Sequence, residues 1–314
     1  MTNEKNIKGC LENVTPGLSV KTMQTTSHYI LKDATHFPRP LAEIPNPPRG
    51  IFFSGHVPPE NALVVAIVGT RRATPVGKSL ARNFARALAR HGIAIVSGLA
   101  FGIDAAAHEG ALDARGPTLA VLPCGLDRIY PRSHEALARK ILENGGALIS
   151  EYPPGTEALP YRFLERNRIV SGLARGTLII EAPERSGALV TARLAAEQGR
   201  DCFVVPGPVT HPNFMGSHQL IRKGAELVTC PEDILEAWGL MEEPTETVKT
   251  QIETWGLSDD EVKILQYLSS LKVAAEVDKI ITTANVQPQV ANIAIGFLLI
   301  KGLIKEVAGG YMVS

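Results

Sequence analysis

Arg71 stands two residues after Gly69, where the apolar run LVVAIVG (63–69) ends. A guanidinium is planar, permanently charged and forked, which suits it to gripping a phosphate. Arg71 belongs to the first of six turns of similar composition: GTRRATPVG (69–77), SGLAFGID (97–104), PCGLDRIYPR (123–132), EYPPGT (151–156), EAPERSGALVT (181–191) and PGPVTHPNFMG (206–216). Glycine permits backbone shapes and close approaches that side chains forbid. A glycine-rich turn entering a helix also directs free N–H groups and the positive end of the helix dipole at an anion. Several such turns with interleaved arginine would make a phosphate-binding rim. The alternative for Arg71 is a pairing with a nearby acid such as Asp104 or Glu181.

Further cations follow the same logic. Arg132 comes after Tyr130 and Pro131 at another strand end, and RFLERNRIV groups Arg162, Arg166 and Arg168 around Asn167 near the start of a helix. Enzymatic patterns are weaker. Gly77, Lys78 and Ser79 echo a nucleotide-binding loop, but seven residues separate Gly69 from Gly77 where that loop has four, and no G-x-G-x-x-G is present. Asp104, Glu151, Glu165 and Glu181 lie near the rim and two of them could form an acid–base pair, although Asp104 equally suits a helix cap. The histidines show no metal-ligand spacing, and Cys124 lies in a loop without an evident base. The reading is a protein that is not an enzyme and takes no cofactor or metal. The alternative is a nucleotide-binding or nucleotide-hydrolysing enzyme.

The turns need a scaffold that brings them to one edge. From Leu63 short apolar runs alternate with helix-length segments: 63–69, 93–98, 118–123, 147–151, 177–182, 202–207 and 225–229. Uninterrupted apolar strands separated by helices indicate a parallel sheet covered on both faces. Right-handed crossovers then make it a Rossmann-like, doubly wound α/β fold, whose ligands sit outside the carboxyl ends of the strands. Residues 1–36 lack periodicity and are expected to be a flexible N-terminal segment. The proline-rich stretch that follows is expected to wrap the domain in extended conformation. Residues 37–239 form the Rossmann-like domain, the acidic, threonine-rich stretch 240–257 a linker, and 258–314 a small C-terminal domain. In that domain three short helical segments precede LIKEVAGGYMVS, a hairpin around Gly309 and Gly310, the order of a winged helix.

Charge is balanced at 32 basic and 32 acidic residues, yet segregated. Residues 61–239 hold 17 Arg and 3 Lys, whereas 240–314 hold 6 Lys, no Arg and 10 acids. The central region is therefore where an anionic partner is sought, and the C-terminal domain looks poor for duplex binding. No apolar stretch is long enough to span a membrane, and the N-terminus has no signal-peptide core. The four cysteines lack paired spacing, in keeping with a reduced, cytoplasmic protein.

From about Phe37 to Gly224 the chain resembles the bacterial DNA-processing protein A family (DprA, also called Smf). The matching motifs include VAIVGTR, SGLAFGIDAAAHEGAL, LAVLPCGLDRIYP, FLERNRIVSGLA and EAPERSGALVTARLAAEQGR. The resemblance implies binding of single-stranded DNA that enters during natural transformation, protection of it, loading of the RecA recombinase, and a homodimer formed through the Rossmann-like domain. It assigns phosphate contacts to Arg71 and Arg132, with Gly69, Ser97, Gly98, Asn167 and Arg168 shaping the pocket. Two departures stand out. Too little chain precedes Phe37 for the N-terminal helical domain of many relatives, and Val76 replaces a common aromatic, leaving Tyr130 and Phe163 as the rings for base stacking.

Overall fold

The computed structural model describes residues 27–59, 61–240, 258–271, 274–301, 303–307 and 310–313. The chain divides into two compact units at Trp238 and Gly239. In the first, all seven apolar runs form strands: β3 (Val64–Gly69), β4 (Ala94–Ser97), β5 (Thr118–Leu122), β6 (Ala147–Ser150), β7 (Gly176–Ile180), β8 (Asp201–Val204) and β9 (Glu226–Leu227). They are mutually parallel in the order β6-β5-β4-β3-β7-β8-β9. Every residue of β4, β5, β6 and β7 is buried, as a sheet covered on both faces requires. The chain winds outward in one direction from β3 to β6, then returns beside β3 with β7. That reversal opens a crevice at the carboxyl ends of β3 and β7.

The proline-rich approach is not simply an extended wrap. After helix α1 (Arg39–Ala42), β2 (Gly50–Gly55) pairs antiparallel with β6, and β1 (His28–Leu31) pairs antiparallel with β2. Residues 28–31 thus belong to the sheet, although they fall in the segment expected to be flexible. The ladder offered by the edge of β6 overrides weak local periodicity, because the GIFFSG backbone groups find partners there and Ile51 is fully buried. Residues 1–26 of that segment, and 241–257 of the expected linker, lie outside the described residues.

The crossover helices are α2 (Pro75–Arg90), α3 (Ile103–Asp113), α4 (Glu135–Glu143), α5 (Pro160–Leu173) and α6 (Gly187–Glu197), followed by α7 (Met215–Arg222) and α8 (Pro231–Ala237). Thr74 caps α2 by accepting from the Gly77 amide at 2.9 Å, with Pro75 at the first helical position. Helices α2 and α3 pack closely at Gly110, where a Cβ would collide with the Arg82 carbonyl.

The second unit comprises α9 (Asp259–Ser269), α10 (Val277–Ala284), α11 (Pro288–Ile300) and the hairpin β10 (Ile304–Val307) and β11 (Gly310–Val313). Ala275, between α9 and α10, makes a bridge to Tyr311. Its core includes Ile264, Leu268, Ile280, Ala291, Leu298 and Ile304. A capping box at Ser258 and Glu261 opens α9.

Candidate functional site

The crevice at β3 and β7 is a groove of about 630 Å³. Its walls come from five of the glycine-rich or arginine-bearing segments, including Gly69, Arg71 and Arg72 after β3, Gly98 and Ala100 after β4, and Tyr130. Phe163, Leu164 and Asn167 on α5 face it from one side, and Arg185, Ser186 and Gly187 at the start of α6 from the other. Gly69 is obligatory, since a Cβ there would collide with the Ile180 carbonyl across the two strands.

Arg71 is exposed, and its guanidinium lies 4.9 Å from the centre of the Phe163 ring. Phe163 in turn meets Tyr130 edge to face at 5.1 Å. No acid pairs with Arg71 among the described residues, so neither Asp104 nor Glu181 takes it up. Arg72 and Arg185 are also exposed and form no ion pair among the described residues. Three cations thus surround an amphipathic groove without intramolecular neutralisation.

The acids near the groove are occupied. Asp104, in the first turn of α3, accepts from the amides of Gly98 at 3.1 Å and Ala100 at 3.4 Å. These bonds hold the SGLAFG turn, in which Leu99 adopts a left-handed φ of 56°. Burial raises the Asp104 carboxyl above its usual range, opposed by the nearby Arg166 charge. Arg166 is itself buried and donates to the carbonyls of Gly98 (2.6 Å) and Val121. Desolvation lowers its pKa to about 10, against the pull of Asp104. A Cβ on Gly98 would strike that guanidinium, so the glycine makes room for a buried cation under the groove.

Glu181, at the end of β7, is fully buried and has a left-handed φ of 52°. It accepts from the Thr74 amide at 3.0 Å, from the Thr74 hydroxyl, and from Asn213 Nδ2 at 2.8 Å. It therefore ties the GTRRAT turn to the PGPVTHPNF turn. Strained backbone of this kind persists only where the surroundings over-determine it, and it clusters at functional sites. The amides of Gly98, Ala100 and Thr74 are thus held by protein carboxylates rather than left open to an anion, which revises the picture of turns gripping phosphate through their backbone.

The sequence-derived residues separate into two groups. Gly69, Arg71, Gly98 and Asn167 line the one groove. Ser97, Arg132 and Arg168 do not line it. Ser97 is buried beneath the floor, where its hydroxyl donates to the Ile67 carbonyl at 2.7 Å. Arg132 projects beyond the Tyr130 edge, its side chain 84% exposed, with Glu135 at 3.5 Å. Arg168 sends Nη2 to both carboxylate oxygens of Glu151 at 2.6 Å and is largely covered. Arg72 and Arg185 are groove residues that the sequence reading did not single out. Their signal was position within GTRRAT and APERSG, but neighbouring arginines cannot be ranked by position alone. Cys124 is buried and its thiol is pushed up to about 11, chiefly by desolvation and then by Asp127, which disfavours the thiolate that nucleophilic chemistry uses. Among the described residues no group of three or more His, Cys, Asp or Glu side chains is placed to hold a metal ion.

A model of one family, DNA recombination-mediator protein A, matches residues 28–239. The chain belongs to this family. The first unit carries all of the match but its last residue. The family's curated relatives include Protein Smf of Escherichia coli (strain K12), 46% identical over 213 residues, which cover 68% of this chain and 57% of that protein. The putative DNA processing protein DprA of Mycobacterium tuberculosis (strain CDC 1551 / Oshkosh) is 49% identical over 174 residues, covering 55% of this chain and 44% of its own length. The chain thus spans about half the length of these curated relatives. Among solved structures, DNA processing protein A from Streptococcus pneumoniae superposes with a TM-score of 0.63 at 38% identity, covering 68% of this chain and 75% of that one. DNA processing protein A from Helicobacter pylori, whose structure is described in terms of its single-stranded DNA binding mode, gives 0.61 at 30% identity over 69% of this chain and 97% of that one.

Proposed function

We propose that this chain binds single-stranded DNA in the groove at the β3–β7 switch point, as a non-enzymatic DNA-processing protein of natural transformation. The observation that carries the reading is Arg71, exposed, unpaired among the described residues, and lying over Phe163. Cations free of internal acids attract a phosphate chain, while adjacent rings offer faces on which unpaired bases stack without sequence preference. Family membership and the described binding mode of the Helicobacter pylori relative support the same class of ligand. Gly69, Gly98 and Asn167 shape the groove, and Arg132 extends its charge past Tyr130. In this reading Ser97 and Arg168 act on the scaffold, through Ile67 and Glu151. A non-enzymatic role accords with the acids, because Asp104 and Glu181 are already engaged by backbone amides.

The finer elements of the proposal are protection of incoming strands in the cytoplasm, delivery to RecA, homodimerisation through the Rossmann-like unit, and a winged-helix role for residues 258–314. No described helix is long and apolar enough to cross a membrane. Fluorescence anisotropy of labelled oligo-dT over a salt series tests the core claim. Affinity should fall as salt rises, and Arg71→Ala should flatten the log–log slope by about 0.7. Equal affinity for duplex and single strand, or binding indifferent to Arg71, would refute it.

A further inference from the structure

The groove at Arg71 continues past the Tyr130–Phe163 pair. A narrow mouth shares Arg71, Gly98, Ala100, Tyr130 and Phe163 with the groove and adds Phe101. Phe101 is also a wall of a second cleft, of about 510 Å³, between α2 and α3. Lys78, Ser79, Arg82, Glu109 and His134 line that cleft with it. The three spaces therefore form a path along the strand ends, with Phe101 at the joint.

The chemistry of the cleft suits a continuing phosphate chain. Arg82 is committed to Asp113 (Nη2 to Oδ1, 2.9 Å) and lies 3.5 Å from Glu109, one cation between two carboxylates, so it is not free for a phosphate and one negative charge remains beside it. Lys78 is exposed and makes no ion pair or side-chain hydrogen bond among the described residues, which leaves it as the cation available to a ligand. Phe101 is 49% exposed, a large apolar area to leave in water. It is held edge to face by His134 at 4.8 Å. His134 Nδ1 lies 2.9 Å from the Leu99 carbonyl and must donate to it, which fixes the ring that props Phe101. A half-exposed ring braced from the side, between one unpaired arginine and one unpaired lysine, has the form of a stacking platform.

We propose that a bound single strand passes from the Arg71 groove over Phe101 into the α2–α3 cleft, with a base on the Phe101 face and a following phosphate at Lys78. This rests on the single-stranded DNA reading above and extends its footprint. The test uses the full chain and oligothymidylates from about 4 to about 20 nucleotides, the range of single-strand site sizes. On the longest, Phe101→Ala should weaken binding about tenfold, the loss expected for one stacked base. Lys78→Ala should flatten the salt slope by about 0.7. On the shortest, both variants should match wild type while Arg71→Ala still loses affinity. Both side chains are exposed, so neither change threatens the fold. Long-strand binding unaffected by both variants, with Arg71→Ala still impaired, would overturn the extended path and leave the groove reading standing. Equal losses on short and long strands would also overturn it, by placing Phe101 within the first groove. Indifference of all three variants would sink the underlying reading as well.

Discussion

The strand-end rim of the first unit and the exposed face of α11 in the second are built on opposite plans. At the rim, Arg71, Arg72 and Arg185 face a groove with no carboxylate paired to them among the described residues. In the second unit Lys301 lies 3.0 Å from Glu261, Lys263 lies 3.2 Å from Asp260, and the outer face of α11 presents Ile293 and Phe297, 61% and 51% exposed. The difference shows that charge totals do not locate an anion site. Residues 61–239 hold 20 basic and 17 acidic residues, a slight excess, yet the pairing is uneven within them. Arg82, Arg128, Arg132, Arg168 and Arg193 are matched to acids, and the groove-lining Arg71, Arg72 and Arg185 are not, among the described residues. A cation that is already paired gives up that partner when it takes a phosphate, so the unpaired ones set the affinity.

The contrast is most severely tested by removing cations of each kind. The double variant Arg71→Ala, Arg72→Ala should lose about a hundredfold in oligo-dT affinity at low salt and flatten the salt slope by about 1.4, from two phosphate contacts. Lys263→Ala, in the other unit, should change affinity by less than about twofold, as expected of an exposed paired charge. Comparable losses in the two would end the distinction.

Beneath the rim the expected effect is on stability and has a direction in pH. His108 is fully buried, and desolvation lowers its pKa from 6.5 to about 3. Its folded value lies below its unfolded value, so between those limits the unfolded chain binds more protons and stability falls as pH falls. The loss begins below pH 6.5, reaches about 2 kcal/mol near pH 5, and continues to about pH 3. Denaturant titrations at pH 7 and pH 5 should show it, and His108→Gln should flatten the dependence. A steeper dependence in the variant would exclude His108 as the source.

A smaller effect is expected at the tie between the turns. Thr74 N–H and Asn213 Nδ2 share one Glu181 oxygen, so Glu181→Gln keeps an acceptor for both. The change still turns an N–H₂ toward the Thr74 hydroxyl and removes the charge that strengthens all three bonds, at a cost of about 1–2 kcal/mol. It should lower the urea midpoint and weaken oligonucleotide binding together, because the turn that carries Arg71 loses its anchor. Weaker binding with an unchanged midpoint would point to a direct contact instead. The smallest effect closes the series. Ile293→Asp with Phe297→Asp should leave oligo-dT affinity within about twofold, since surface changes away from a site act weakly. A large loss would bring the second unit into the binding surface.

The parallel core was legible because its signal is local. Runs such as VVAIVG and TLAVL are apolar throughout, and a buried strand needs no alternation to be recognised. Strands β1 and β2 were not legible, because prolines surround them and β6, the strand that β2 pairs with and through which both join the sheet, lies about a hundred residues on. The same distinction governs the site. Arg71 could be chosen because its place after β3 is set by the strand itself. Arg168 misled because its role depends on Glu151, on another element, and the preference of a guanidinium for one acid over a groove is a tertiary matter. Arg72 and Arg185 sat in recognised turns, but only packing decides which of several neighbouring side chains faces inward.

The carboxylate of Asp104 holds the amides of Gly98 and Ala100, and that of Glu181 holds the amide of Thr74. A ligand therefore meets separated side-chain tips rather than a tight nest of N–H groups that would fix one phosphate in one place. Contacts of this sort have no preferred register. On the proposed reading, a strand held by such tips would be free to shift along the groove by a nucleotide, since no single phosphate is fixed in one place.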